Sequence, residues 1–380
     1  MKAQAVNMHD LKYFFVGLSW FFFVGNVSAI CIIPKSLLTS KNIYLSHSNG
    51  VFDIQHSDMV ANGQTIYLLC NGGIQHTGFK CQSNHVFNPP LNTAMCSTPF
   101  EPSVVGIRKM DASCPNPSRM YGVGFNFNGN FMELYRNCFN GNSLAFQHSI
   151  YKVYRHENTA PRPTPPWNSD GLSGGFDNAY EGRATQACLL TNLGATQPQC
   201  KFDRGHMTPA SAFMFTEHKK TTFKYLNAIP QYRGINRGNW KTVETWVNNV
   251  VKGLHDNPIV NNVQIQRTYD VLKVCIGAMG VHRLRHTNNN NMISIFLLDN
   301  NKIPVPEWMY KIVSHLSGDK WVMLTYNDVN IPNQQDLNQI CRQINCHPGL
   351  HLNGRSVGHT VCCDPFHFIA RNVPHLTGVC

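Results

Sequence analysis

Lys201-Phe202-Asp203-Arg204-Gly205-His206-Met207-Thr208-Pro209 opens the stretch that the rest of the chain serves. It runs on through Asn227-Ala228-Ile229-Pro230-Gln231 and Gly234-Ile235-Asn236-Arg237-Gly238-Asn239-Trp240 to Glu244. A base that titrates near neutrality, a fixed cation and oxygen ligands meet in this short span. His206 can take a proton from water, because an ordinary imidazole has a pKa of about 6.5. Arg204 presents a planar fork of donors that matches a phosphate. Asn236 and Glu244 offer oxygen to a hard cation such as Mg2+, which takes few protein ligands and keeps several waters. Together these groups suit the cleavage of a phosphodiester.

Downstream of Asn236 the apolar residues Val243, Trp246, Val247, Val250, Val251 and Leu254 recur with a helical period. One helix running through this segment places Asn236, Trp240 and Glu244 at successive steps of four, on one side. The expectation is a single rigid element carrying a metal ligand and, two turns on, a carboxylate. Trp240 and Pro230 are expected in core and turn. Asp203 and Gly205 are expected to set the turn that aims His206.

The series Asp203-Arg204-Gly205-His206, Asn227, Pro230-Gln231, Asn236, Trp240 and Glu244 resembles the DNA/RNA non-specific endonucleases with the ββα-metal site. The N-terminal extension and the many cysteines look closest to the crustacean, double-strand-specific branch of that family. The resemblance implies an α+β fold, a central antiparallel sheet flanked by helices, with a small β-rich N-terminal domain. It implies a secreted endonuclease that cuts DNA, in this branch double-stranded, to 5′-phosphate products. His206 is then the general base, Asn236 the direct ligand of a single Mg2+ (which Mn2+ can replace), and Glu244 a carboxylate acting on the metal through water. Arg204 and Asn227 support the phosphate and the transition state. An upstream arginine on the phosphate is also implied; Arg162 and Arg183 are the candidates, and the choice between them stays open.

Working outward, residues 1–29 read as a secretory leader: Lys2 and Lys12 precede an apolar run from Tyr13 to Val24, and Val27-Ser28-Ala29 suits cleavage. All 14 cysteines follow Ala29, an even number, as a disulfide framework in an oxidising compartment requires. Cys188 with Cys200 is the best local pairing, and Cys362-Cys363 must seek separate partners. A zinc site drawn from Cys346, His347, His351, His359, Cys362, Cys363 and His367 is the alternative. From Ile30 to about Pro102, short β-type runs such as Thr65–Cys70 and His85–Asn88 alternate with turn signals. This marks 30–110 as a β-rich N-terminal domain, stapled by Cys31, Cys70, Cys81 and Cys96, and leaves 111–380 as the nuclease domain. Longer strands are expected over Tyr121–Phe127, Phe131–Cys138, Ser149–Arg155, Tyr269–Met279, Met292–Asp299 and Lys320–Tyr326, and a helix over Asn333–Cys341. His156–Ser173, with Pro161, Pro163, Pro165 and Pro166, is a long loop. Arg283-Leu284-Arg285-His286 is either a hairpin tip or a contact to the DNA backbone.

Lys and Arg outnumber Asp and Glu by 32 to 21, a formal net charge of +11, which favours a polyanion. No later stretch suggests a membrane span, and no protein partner is implied. Two other classes compete: a non-catalytic polyanion-binding protein on the same scaffold, and a hydrolase pairing His206 with a serine or cysteine nucleophile. The intact His206, Asn236 and Glu244 oppose the first, and the lack of a nucleophile motif opposes the second. Within the nuclease reading, sugar-non-specific cleavage of DNA and RNA is the alternative to DNA alone.

Overall fold

The computed structural model describes residues 30–75, 78–91, 95–107, 111–172, 175–183, 202–253, 259–260, 263–264, 271–286 and 289–380. The expected leader and the expected Cys188–Cys200 pair lie outside the described residues. The architecture is α+β around a nine-stranded antiparallel sheet. Across it run Ser103–Gly106, Arg119–Phe127, Asn130–Asn140, Ala145–Tyr154, Val271–Met279, Trp308–His315, Lys320–Tyr326, Thr360–Cys363 and Gln343–Ile344. The period-two pattern sorts these strands onto two cores. Leu272, Val274, Ile276, Val313 and Met323 face the helix Asn239–Gly253, which buries Trp240, Val243, Trp246, Val247 and Val251. Cys275, Tyr310, Ile312, Val322 and Leu324 face the other way, onto Leu337, Phe368 and Ile369 of the C-terminal helices Gln334–Ile340 and Pro365–Asn372.

The chain leaves this sheet after Tyr154 and rejoins it at Val271, and the excursion carries the segment 202–244. The N-terminal residues form a six-stranded sheet, with Cys31–Cys81 and Cys70–Cys96 bridging it. Its core is not self-made: Ala160, Met214 and Phe215 pack among Ile33, Leu38, Tyr44 and Phe79.

Three expectations need correction. Met292–Asp299 is no central strand: Met292–Ser294 pairs with Arg283–Arg285 as a hairpin, and Phe296–Leu298 pairs with Lys302–Pro304. The place in the sheet belongs to Trp308–His315, whose run hides a lysine, Lys311, that is wholly buried. Only Phe87–Asn88 of the His85–Asn88 run is strand. The helix expected from Asn236 is two helices, Arg233–Arg237 and Asn239–Gly253. Gly238 separates them at φ −98°, ψ −124°. A side chain there would meet the Gly234 carbonyl oxygen at 2.6 Å, so the break needs glycine.

Among the described residues twelve cysteines form six bridges, including Cys346–Cys362 and Cys341–Cys363, so the vicinal pair does take separate partners and these sulfurs are not zinc ligands. Cys275–Cys380 ties the C-terminus to a central strand across 105 residues. Closing a loop of that size is worth about 4–5 kcal/mol in the chain-entropy model, against about 3 kcal/mol for a loop of ~20 residues. The pair variant C275A/C380A should therefore melt lower than C341A/C363A, whose bridge spans 22 residues. Thermal melts followed by circular dichroism check the order, and equal midpoints would refute it. Among the described residues no helix is long and apolar enough to cross a membrane.

Candidate active site

Phe202–His206 and Ala228–Tyr232 form a two-stranded antiparallel ribbon in which His206 lies opposite Ala228 and Asp203 opposite Gln231. Gly205 is forced by this pairing, because a β-carbon would approach Gln231 Cβ to 2.8 Å. Asn227 enters the ribbon fully buried. Its Nδ2 donates to the Thr208 and Thr222 carbonyls, both at 2.9 Å, and its Oδ1 accepts from Thr208 N at 2.9 Å. Its polar atoms are thus spent on the backbone beyond His206, and it does not line the cavity into which His206 faces. These bonds brace the turn that follows His206.

That cavity, about 960 Å³, gathers the other candidates: His206, Arg204, Asn236, Glu244 and Arg162 all line it. Six cations line it (Arg162, Arg204, Lys219, Arg233, Arg237 and Lys241) against three carboxylates (Glu181, Asp203 and Glu244). The wall charge suits an anionic substrate. Of the two upstream arginines, Arg162 reaches the site. Arg183 ends the helical turn Ala179–Arg183, and its side chain lies outside the described residues.

His206 is 7% exposed, flanked by Trp167 and Phe223 with ring centroids 4.7 Å away in each case. Arg162 approaches its Nδ1 at 3.4 Å. Burial, with Arg162 adding to it, pulls the imidazole down to about 3. The ring is therefore neutral at physiological pH, with the unprotonated Nδ1 as the atom that accepts from Arg162. Arg204 is held by Glu181 at 3.0 Å and Asp177 at 3.4 Å, and it lies about 6 Å from the ring centres of Trp167, Tyr180 and Tyr225.

Asp203 joins the ribbon to the short helix after it, accepting from Arg233 at 3.1 Å, Arg237 at 3.2 Å and Asn236 Nδ2 at 3.1 Å. With its amide nitrogen committed to Asp203, Asn236 has its side-chain carbonyl oxygen left to offer to a cation. Glu244 is half-buried; burial raises its pKa, while Lys311, Arg162 and Lys241 counter that rise. Lys311, pulled down to about 8 by burial, lies with its ammonium 5.0 Å from the Trp240 ring centre. The donor set is oxygen-only and sparse, which fits a hard, largely hydrated cation held by few protein atoms, not a cage. Sequence reading missed Trp167, Phe223, Lys219 and Lys311. The aromatic pair comes from two distant loops, and nothing local marks either lysine as buried.

Residues 116–365 match the family model described as DNA/RNA non-specific endonuclease. The chain is 25% identical over 375 residues to a salivary endonuclease of Lutzomyia longipalpis, covering 92% of this chain and 84% of that one. It is 24% identical over 321 residues to salivary protein Tsal2A of Glossina morsitans morsitans, covering 80% and 74% respectively. Among solved structures it is similar to a chain of the EndoG/EndoGI complex, at a TM-score of 0.36 and 16% identity, over 55% of this chain and 82% of that chain.

Proposed function

The chain belongs to the DNA/RNA non-specific endonuclease family and is a metal-dependent endonuclease acting on nucleic acid; from that premise we propose a secreted, Mg2+-dependent enzyme that cuts double-stranded DNA to 5′-phosphate products. The observation that carries the proposal is one cavity lined by His206, Arg204, Arg162, Asn236 and Glu244, with the neutral Nδ1 of His206 facing Arg162. An entering phosphate draws the Arg162 guanidinium from the ring nitrogen to its own oxygens, which frees the Nδ1 lone pair for a water. His206 takes the proton of that water as its oxygen attacks phosphorus. Arg162 and Arg204 supply charge where it builds up on the phosphoryl oxygens. Asn236 would hold the cation through its oxygen and Glu244 through water, supplying neutralisation of charge at the phosphate and the leaving 3′ oxygen. Trp167 and Phe223 shield the base from bulk water and keep it neutral.

Secretion is supported by the disulfide framework, which suits an oxidising compartment, and by relatives named as salivary. The test is a parallel digestion of duplex DNA, single-stranded DNA and RNA, with Mg2+ or with chelator, followed by end-group analysis. Mg2+-dependent loss of duplex DNA ahead of the other two, with 5′-phosphate ends, is the expected result. Equal rates on DNA and RNA would favour sugar-non-specific cleavage, which the family description itself suggests. Activity that survives chelation would overturn the metal.

A further inference from the structure

The loop that brings Arg162 to His206 contains prolines at 161, 163, 165 and 166, none with an N–H to give. Its start is held from outside, by the N-terminal segment. Asp58 is wholly buried, and its Oδ1 accepts from Glu157 N at 3.0 Å. Its Oδ2 accepts from Asn158 N at 2.8 Å and Asn158 Nδ2 at 3.2 Å. Next door, Ser57 Oγ donates to the Arg155 carbonyl at 2.6 Å. The following residues are clamped from the far side: Ala160 N donates to the Met214 carbonyl at 2.8 Å. The buried Lys219 ammonium donates to Thr159 Oγ1 at 2.9 Å and to the Ala160 carbonyl. Arg162 follows two residues later. The loop is caught again at Asn168, whose N–H donates to the Phe223 carbonyl at 3.0 Å.

We propose that Asp58 is a positioning residue for the reaction: its carboxylate, reaching across about a hundred residues of sequence, fixes the loop start so that Arg162 stands against His206 and receives the phosphate. This rests on the reading of Arg162 given above, and it makes the N-terminal segment part of the catalytic apparatus instead of an appendage. The physical case is the bond count. A buried carboxylate satisfied by three N–H donors is strongly favoured in one geometry, and its loss takes from the half-buried backbone N–H groups of Glu157 and Asn158 the partner that fixes the loop start. A displacement of about 1 Å in a substrate-positioning group can cost about 100-fold in rate.

The test is a double-mutant cycle on duplex cleavage at saturating Mg2+, using Asp58→Ala, Arg162→Ala and the double variant, each checked by thermal melting. Asp58→Ala is expected to lower kcat at least about 10-fold in the wild-type background and less than about 2-fold when Arg162 is already alanine. A plain stability defect would cost the same factor in both backgrounds, and that outcome overturns the proposal. Asp58→Asn, which keeps the shape and one acceptor oxygen, should fall between wild type and Asp58→Ala. Wild-type kcat in Asp58→Ala also overturns it. If neither variant melts cooperatively, Asp58 is a folding residue and the proposal falls. Full activity of Arg162→Ala alone would instead refute the phosphate role of Arg162, and the Asp58 inference with it. The two failures are thus told apart by the single arginine variant.

Discussion

Replacing His206 by alanine is expected to cut turnover at least about 100-fold while duplex binding largely survives, the scale usual for a positioned acid–base. Binding survives because the six wall cations remain and phosphate affinity is carried by charge. The pH profile follows from the same burial. With its pKa drawn down to about 3, His206 stays in the proton-accepting form throughout the neutral range. Cleavage should show no loss from protonation of this ring between about pH 8 and about pH 6, where an exposed histidine would already be half-charged. For stability the sign is opposite to that of a histidine gaining an acidic partner. The unfolded chain binds the proton first, so the contribution is present above the unfolded pKa and drains away as pH falls below it, towards the folded value. The measurements are single-turnover cleavage across that range and fluorescence anisotropy of labelled duplex in chelator. Activity retained by His206→Ala at neutral pH would remove it as the base.

Much of this was legible in the residues, for reasons that can be separated. The strands Arg119–Phe127, Asn130–Asn140 and Ala145–Tyr154 announce themselves because their residues alternate or run apolar locally, and each strand is largely buried. The helix stripe is equally local: Val243, Trp246, Val247 and Val251 are the buried positions. Trp308–His315 escaped because a charged residue sits mid-strand, and a buried lysine is intelligible only with Trp240 and Glu244 assembled around it. Gly238 escaped because the constraint on it comes from the Val357 and Gly234 carbonyls, the first of them far along the chain. Within the site, residue types pointed to His206, Arg204, Asn236 and Glu244, which share the cavity. They could not choose between Arg162 and Arg183, since that choice depends on where a proline-rich loop is pinned. Nor could they tell that Asn227 faces the backbone, because an asparagine's partners are set by the fold and not by its neighbours in sequence.

Asn236→Ala is expected to reduce Mg2+-supported cleavage by about 100-fold or more, the rate equivalent of several kcal/mol of lost charge stabilisation. It should do so with little change in thermal midpoint. Asn236 is only half-buried, its neighbour Ile235 fills the core, and Asp203 keeps Arg233 and Arg237 when the amide goes. Glu244→Gln should show the reverse balance. Its catalytic loss is smaller, since an amide still hydrogen-bonds to water where the carboxylate did. Its stability loss is larger, because Lys311 is wholly buried and Glu244 is the charge that favours its ammonium form. Removing the carboxylate leaves the buried Lys311 ammonium, which has no hydrogen-bond partner, without the nearby charge that offsets it. Lys311 can shed its proton, its pKa already being drawn down to about 8, so the penalty should shrink as pH rises through that value. Mg2+ titrations of both variants, with melts at two pH values, read all four quantities. Normal cleavage by Asn236→Ala at low Mg2+ would remove it as the ligand. A Glu244→Gln enzyme that is the less active yet equally stable variant would exchange the two roles.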